Sequence, residues 1–527
     1  MDGIRTRGAR TLGAALTLAA VLLLALGASA STASDTRTGG TLTIGLAEDP
    51  DALDPTLART FVGRMVFLHM CEKLYDLNAK LEIVPQLAAS LPTLSADKKS
   101  MTIRIRRGVR FNDGTPLTAQ AVKVSLDRHR TLRGSARASE ISGVSSVDVV
   151  GNSTVRLQLT GRFSPLTAQL ADRAGMIMSP KQLEALGDRF ASNPVCVGGF
   201  RFVSRTAGDR IVLAKSPFYY ARTKVKLDQL VFRIITDTGA RAANLRSHDI
   251  DVLDRIASTD LPASQRDQSL RVLKATSIGY QGISINVGNK NGIGKPFENV
   301  GSALASKQFV RQAFELSLDR KVINRVVFGG TVVPGCLPVP PGSPYYDRNI
   351  KCPGRDLARA RQLISRAGVE TPVRVRLMIG TDQVAARLGQ VIQSMAGEAG
   401  FRVELQPTEF VTALRRQDQG NYDSFAIGWS GRVDPDGNVY QFVHSKGSLN
   451  NLGWSSPRMD LLLDNARKAA SPAARKKLYS SAFKVLRSQL PLIYLWHPVN
   501  RHGVSKTVTG VQTFGDGLIR AYYAELK

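Results

Sequence analysis

Hydrophobic residues along this chain recur at two spacings, and the changes from one to the other predict its elements. Positions 40–46, which contain TLTIGL, alternate with period two as a short strand and stop at Glu48-Asp49-Pro50, a turn signal. MTIRIRRGVRFNDGTPLTAQAVKVSLDRHR (101–130) reads as a strand, an Asn-Asp-Gly turn and a helix that Thr118 caps. GGFRFVSRTAGDRIVLAK (198–215) alternates in two arms around Ala207-Gly208-Asp209, which predicts a hairpin. From about residue 306 the spacing turns helical: Phe309, Val310, Ala313, Leu316 and Leu318 mark one apolar face, and Gly329-Gly330 stop the helix after Phe328.

Beyond Val373 strands and helices take turns. VRVRLMIG, VAARLGQVIQSMAGEAG, FRVELQ, VTALRRQ and YDSFAIGW read as strand, helix, strand, short helix, strand. That alternation implies right-handed crossovers and a mostly parallel sheet. Open α/β sheets take their ligands at the carboxyl ends of strands, so residues 428–436, from the Gly-Trp that ends YDSFAIGW onward, are a candidate cleft wall.

Composition changes the picture first at the amino terminus. Arg5, Arg7 and Arg10 precede the apolar run Leu12–Leu26, and Ala28-Ser29-Ala30 supplies a small-residue cleavage pattern, so residues 1–30 read as a secretory signal peptide cut after Ala30. A membrane anchor needs about 18 or more consecutive apolar residues, and no stretch qualifies. No cysteine stands near the end of that run to take a lipid; the first is Cys71. The rest, with 43% hydrophobic and 22% charged residues over a chain of 527, is the composition of a globular protein with room for several lobes.

Export places the four cysteines in an oxidising compartment, where an even count favours bridges over metal ligands or nucleophiles. Cys336 and Cys352 flank CLPVPPGSPYYDRNIKC, a Pro/Gly-rich segment without a core of its own, and form the expected pair. Cys71 and Cys196 then pair by elimination. No CxxC or HExxH occurs and the six histidines are scattered, which gives no support for a metal site; no cofactor is expected.

Net charge is +28, of which the leader holds three arginines against Asp2, so 28 less a net 2 leaves +26. The basic residues are dispersed rather than interleaved with aromatics, which speaks against nucleic acid and for a solvated basic surface.

Five segments carry a resemblance that spans nearly the whole mature chain. They are GGTLTIGLAEDPDALDPTLA, IRIRRGVRFNDGTPLTAQAVKVSLDR, NPVCVGGFRFVSRTAGDRIVLAKSPFYY, VRQAFELSLDRKVINRVVFGG and YDSFAIGWSGRVDPDGNVYQFV, in that order. With the leader they make the chain resemble family 5 of the extracellular solute-binding proteins, the dipeptide, oligopeptide and nickel receptors of bacterial ABC importers. The resemblance implies a bilobal α/β periplasmic binding protein fold with mixed sheets. Lobe I would comprise 37–74, 190–287 and 491–527, with an inserted subdomain at 75–189, and lobe II would comprise 288–490. GYQGISINV (279–287) and LPLIYLWHPV (490–499) would be the two hinge crossings. It also implies a monomeric periplasmic receptor that hands a peptide-like or small ligand to a membrane permease.

The chain departs from that pattern where the ligand would be read. In dipeptide receptors that the 422–443 segment resembles, an aspartate shortly after the Gly-Trp pair holds the ligand's α-amino group; the aligned residue here is Arg432. The family's arginine for the ligand carboxylate lies in the loop opening the helix near 384, and here that loop, MIGTDQVAA, has none. A cation facing an ammonium in a desolvated cleft repels it, so a simple dipeptide is not the expected ligand. The ligand stays open among oligopeptides, modified peptides, opine-like compounds and saccharides.

The candidate ligand-binding residues follow from these readings. Trp429 stacks on a planar or apolar group or sits in the core. Arg432 grips an anionic group or pairs with Asp434, Asp436 or Glu48. Asp434 reads as a ligand contact or as the cap of the helix that Pro435 opens, and Asp436 is a further candidate, an acidic anchor for a ligand amino group. Glu48 and Asp49 face the cleft from the other lobe or form a solvated turn. Tyr280, Gln281 and Tyr440 are weaker candidates, and a lone His444 is more often a satisfied residue than a metal ligand.

Two other classes compete. Ser-x-x-Lys at SADK (95–98) and SAFK (481–484) has the spacing of a serine acyl-transferase nucleophile but no SDN or KTG partner, and GxSxG is absent. A peptide-holding chaperone would bind many unfolded chains weakly, where a receptor encloses one class of ligand.

Overall fold

The computed structural model describes residues 39–527. The proposed leader lies outside the described residues. The fold is built on three principal sheets. A seven-stranded sheet runs in the order 270–276, 499–505, 252–253, 41–46, 229–234, 210–215, 200–206. A six-stranded sheet runs 333–334, 492–497, 280–285, 424–429, 373–379, 401–407. A four-stranded antiparallel sheet (93–94, 100–104, 154–159, 144–151) belongs to the segment between residues 75 and 189.

Both large sheets are mixed. Thr41–Leu46 pairs parallel with Gln229–Ile234, which then pairs antiparallel with the second arm of the expected hairpin, Arg210–Lys215. In the six-stranded sheet Val373–Ile379 is parallel to Phe401–Pro407 and to Ser424–Trp429, as the strand-helix alternation implies. The antiparallel members come from distant sequence: Tyr280–Ile285 pairs with Ser424–Trp429 on one side and Leu492–His497 on the other.

Those two outlying strands are also where the chain changes sheets. Strand 270–276 continues through Ser277-Ile278-Gly279 into strand 280–285, and strand 492–497 returns through Pro498 into 499–505. The crossings lie side by side: the Ser277 N–H donates to the Pro498 carbonyl at 2.9 Å, and His497 Nδ1 bonds the Gly279 carbonyl at 2.7 Å. Gly431 closes against them with φ +85°, and a Cβ there would stand 2.4 Å from the Gly279 nitrogen. Only glycine combines that dihedral with that approach.

The predicted caps form. Thr118 accepts from Ala121 N at the start of helix Ala119–Thr131, and Gly329, left-handed at φ 57°, ends helix Arg320–Phe328. One helical expectation is corrected. The apolar stripe from 306 to 328 is not one helix, because Leu318 is extended and Asp319 accepts from Lys321 N and Val322 N, which starts a new helix after Gln308–Ser317. The capping aspartate interrupts a continuous apolar face.

Both expected disulfides are present, Cys71–Cys196 and Cys336–Cys352. The first joins segments 125 residues apart, tying the end of helix Phe61–Met70 to the segment just before the hairpin.

Candidate ligand-binding cleft

A cavity of about 900 Å³ lies between the two large sheets, at the upper end of the range for small-ligand sites. Its floor is the register-paired ends of strands 280–285 and 424–429, where Tyr280 lies opposite Trp429 and Gln281 opposite Gly428. One wall is the turn after strand 41–46, with Glu48, Asp49 and Asp51, together with Arg59, Phe61 and Arg255. The facing wall carries Asp382, Glu409 and Phe410 from the helix starts after strands 373–379 and 401–407, with Arg415 from the last turn of helix Phe410–Asp418. These are strand carboxyl ends, where parallel neighbours leave a crevice.

The lining is amphipathic. Phe61, Phe328, Phe410, Phe442, Trp429 and Trp496 supply aromatic surface. Glu48 sits 3.6 Å from Arg255, which also holds Asp254 at 3.0 Å and stacks 5.4 Å over the Phe61 ring. Burial pushes the Glu48 carboxyl up to about 6, with Arg255 only partly offsetting it. Burial opposes the charge on Arg255, but Asp254, Glu48 and Asp382 outweigh it and keep the guanidinium firmly protonated. Asp382 exerts this from the opposite wall, where its carboxylate caps helix Gln383–Gly397. Trp429 forms part of the floor, and its buried indole N–H has no protein partner.

The structure divides the nine candidate residues into two groups. Glu48, Asp49, Tyr280, Gln281 and Trp429 line the cavity; Arg432, Asp434, Asp436 and Tyr440 stand behind its wall. Asp49 accepts from Arg205 at 2.9 Å and from Gly208 N at 2.8 Å, so it also anchors the hairpin tip. Tyr280 packs edge-on to Tyr494 with its hydroxyl toward the Asn438 carbonyl.

The second group is held in place by partners far away in sequence. Asp434 forms two bonds to Arg475, at 2.6 and 2.8 Å, and accepts from Asp436 N, while helix Asp436–Val443 starts one residue later than expected, with Pro435 at its cap. Asp436 is clasped by Arg467 at 2.7 and 2.8 Å and by Gln169 at 3.0 Å. Tyr440 lies under the Arg467 guanidinium, 3.0 Å from ring centre to Cζ, and stacks on His444, which faces Asp464 at 3.3 Å. Arg432, only 6% exposed, reaches Asp172 at 3.3 Å and lies 4.4 Å over the Trp429 ring. None of the three expected partners of Arg432 (Asp434, Asp436 or Glu48) takes it.

Sequence reading missed Arg59, Arg255, Asp382, Glu409 and Phe410. Asp382 and Glu409 carried a usable signal, because each is an acidic residue directly before a helix and caps it. Arg255 carried none, since only the packing of the 252–258 turn against strand 499–505 brings it to the wall. The two Ser-x-x-Lys motifs lie away from the cavity: Ser95 is in a surface turn bonded to Asp97, and Ser481 is within helix Pro472–Gln489. Among the described residues no cluster of three or more His, Cys, Asp or Glu is placed to hold a metal, and no helix is long and apolar enough to cross a membrane.

Residues 82–450 match the model of the bacterial extracellular solute-binding proteins, family 5 middle. The chain belongs to that family. A glutathione-binding protein GsiB from Pectobacterium atrosepticum is 25% identical over 487 residues, covering 90% of this chain and 92% of the relative. The GsiB of Salmonella choleraesuis is 26% identical over 470 residues, 87% and 89% of the two chains. Among solved structures, the binding protein AgaA of A. tumefaciens R10 in complex with agropinic acid superposes with TM-score 0.83 at 25% identity over 93% of this chain and 99% of its own. A dipeptide-binding protein of Pseudoalteromonas sp. SM9913 in complex with Met-Leu gives 0.83 at 21% identity, covering 93% of this chain and all of its own. The family's fold is the bilobal one, and the cavity lies between its two large sheets.

Proposed function

We propose that this family member is the periplasmic receptor of an ABC importer and captures a peptide-like or related small ligand by closure of two lobes. Lobe I is the seven-stranded body (37–74, 190–287, 491–527) with the inserted subdomain 75–189, and lobe II is 288–490. The observation that carries the reading is the amphipathic cavity between two sheets that, among the described residues, are joined by two adjacent crossings. That arrangement lets the walls rotate about residues 277–279 and 498 without breaking either sheet. In the closed form Arg59 reaches across to Asp418 at 2.6 Å and Ser139 to Ser448 at 2.8 Å, so capture is coupled to contacts that exist only when the lobes meet.

Ligand contacts fall to Trp429, Gln281, Tyr280, Glu48 and Asp49, joined by Arg255 and Asp382. The indole N–H of Trp429 donates to a ligand acceptor, and the charged pair across the cleft suits a ligand bearing both signs. The receptor does no chemistry on its ligand. It works as an exported monomer, cleaved after Ala30, that presents its closed face to a membrane permease.

The test is mass spectrometry of whatever is released by denaturing protein purified from periplasm, followed by calorimetric titration with that compound, glutathione, agropinic acid and Met-Leu. A single tight ligand that shrinks the radius of gyration in solution scattering is expected. Weak binding to many unfolded chains would identify a chaperone instead, and turnover of a generic ester or peptide an enzyme.

A further inference from the structure

Behind the cleft floor lies a cluster whose charge does not balance. Four guanidinium groups, those of Arg64, Arg137, Arg173 and Arg432, are each at least nine-tenths buried. The carboxylates among them are Asp172 and Glu140. Asp172 takes Arg64 at 2.5 Å, Arg432 at 3.3 Å and Arg173 at 3.6 Å. Glu140 takes Arg137 at 2.6 Å. The next nearest acids are committed elsewhere, Asp516 to Arg520 at 2.9 and 2.6 Å and Asp436 to Arg467. Four positive charges against two negative ones leave an excess of two in a buried volume.

The hydrogen-bond accounting agrees. Nη2 of Arg173, Nη2 of Arg432 and Nε of Arg137 have no hydrogen-bond acceptor among the described residues; Nε of Arg432 and of Arg173 face Asp172 at 3.3 and 3.6 Å without forming a hydrogen bond, and Glu140 Oε2 has no donor. Arg173 spends Nη1 on the Ala58 carbonyl, Arg137 sends Nη2 to the same carbonyl at 3.4 Å, and Arg432 spends Nη1 on Gly431. Arginine does not shed its proton to escape burial, so the charge must be matched by something other than the chain. Burial foremost, and then Arg64, opposes the charge on Arg432; burial foremost, and then Arg137, opposes that on Arg173.

We propose that these arginines form a binding site for one compact anion, a carboxylate or a halide, at the junction of the three parts of the molecule. Arg64 and the Ala58 carbonyl come from lobe I, Arg137 and Arg173 from the inserted subdomain, and Arg432 from lobe II. The anion therefore joins all three only when they have closed together. Its source is either the carboxylate end of the captured ligand, entering past Ser430 and Thr60 on the cavity wall, or a free ion. Arg64 donates to Ser430 at 2.9 Å, which sets that wall directly against the cluster. The proposal deepens the receptor reading but is tested without knowing the physiological ligand.

The experiment is thermal unfolding at constant ionic strength and pH, replacing gluconate stepwise by chloride, bromide, formate or acetate from about 5 to about 200 mM. A rise of about 2–4 °C with at least one compact anion is expected in the wild type. Halide preference assigns the site to a free ion, and preference for formate or acetate assigns it to a ligand carboxylate. Arg432→Met, which removes one excess charge, should abolish the rise and unfold no lower than wild type in gluconate. Glu140→Gln, which adds to the excess, should steepen it. Should Arg432→Met fail to fold, crystals of the wild type soaked in bromide decide by an anomalous peak among Arg137, Arg173 and Arg432. No anion-specific shift together with no such peak overturns the proposal, whatever the receptor's ligand proves to be.

Discussion

The strand end at 428–430 and the turn at 432–436 are neighbours in sequence, yet they form two kinds of surface. Trp429 and Ser430 face the cavity, and the indole N–H is left free. Asp434 and Asp436 are each gripped by an arginine from the helices at 457–468 and 472–489, with two short bonds apiece. Carboxylates show the same contrast. Glu48 on the cavity wall is raised to about 6 because burial outweighs its distant arginine. Burial acts on Asp172 too, but Arg432, Arg64 and Arg173 overrule it and hold its carboxyl well below the usual range. A group that a ligand can use is one the protein has left incompletely paired; a group already saturated builds the frame.

Breaking the frame should produce the largest effect. Asp436→Asn leaves Arg467 buried with its charge unmatched, and unfolding in urea should show a loss of about 3–5 kcal/mol, with Asp434→Asn close behind. A loss under about 1 kcal/mol for both would mean that these pairs are solvent-relaxed and that the contrast with the cavity wall is false.

Next in size is the pH dependence of the wall. The folded-state value of Glu48 lies above its unfolded value of 4.5, so its contribution to stability is complete below 4.5 and lost as pH rises through about 6. The loss amounts to about 2 kcal/mol. Stability curves of wild type and Glu48→Gln should therefore diverge between pH 4.5 and 6 and run parallel above. Curves that diverge instead below pH 4.5 would place Glu48 in the same class as Asp172.

The smallest stability effect belongs to Trp429→Phe, which keeps an aromatic ring and deletes the unpartnered N–H together with part of the indole surface. Thermal unfolding should shift by about 1 kcal/mol equivalent, from that lost surface, because no protein hydrogen bond is lost. Affinity for the co-purified ligand should nevertheless fall about tenfold in calorimetric titration, the worth of one hydrogen bond in a dry site. Unchanged affinity would turn Trp429 into a packing residue and move the floor of the site toward Gln281.

Much of the fold was readable before any coordinates, because its signals are local. The strand at 41–46, the hairpin at 200–215, the Thr118 cap and the parallel run from 373 to 429 all follow from period and turn chemistry within some thirty residues. The bridge across 336–352 is local in the same sense. The single helix expected through Leu318 failed because apolar period alone does not register a capping aspartate inside the stripe.

The site was legible only in part, and for one reason. Position at a strand's carboxyl end placed Trp429 and Glu48 on the cavity, since that edge is set by sheet topology, and Gln281 came from its place on the hinge strand. Which charged residue faces ligand and which faces another side chain depends on partners hundreds of residues away. Arg432 meets Asp172, Asp436 meets Arg467 and Gln169, and Glu48 meets Arg255. Sequence spacing determines what a residue can bond with inside its own element. Burial and pairing between elements decide whether that capacity is still free, and that was settled only when the lobes and the inserted subdomain packed around the same few arginines.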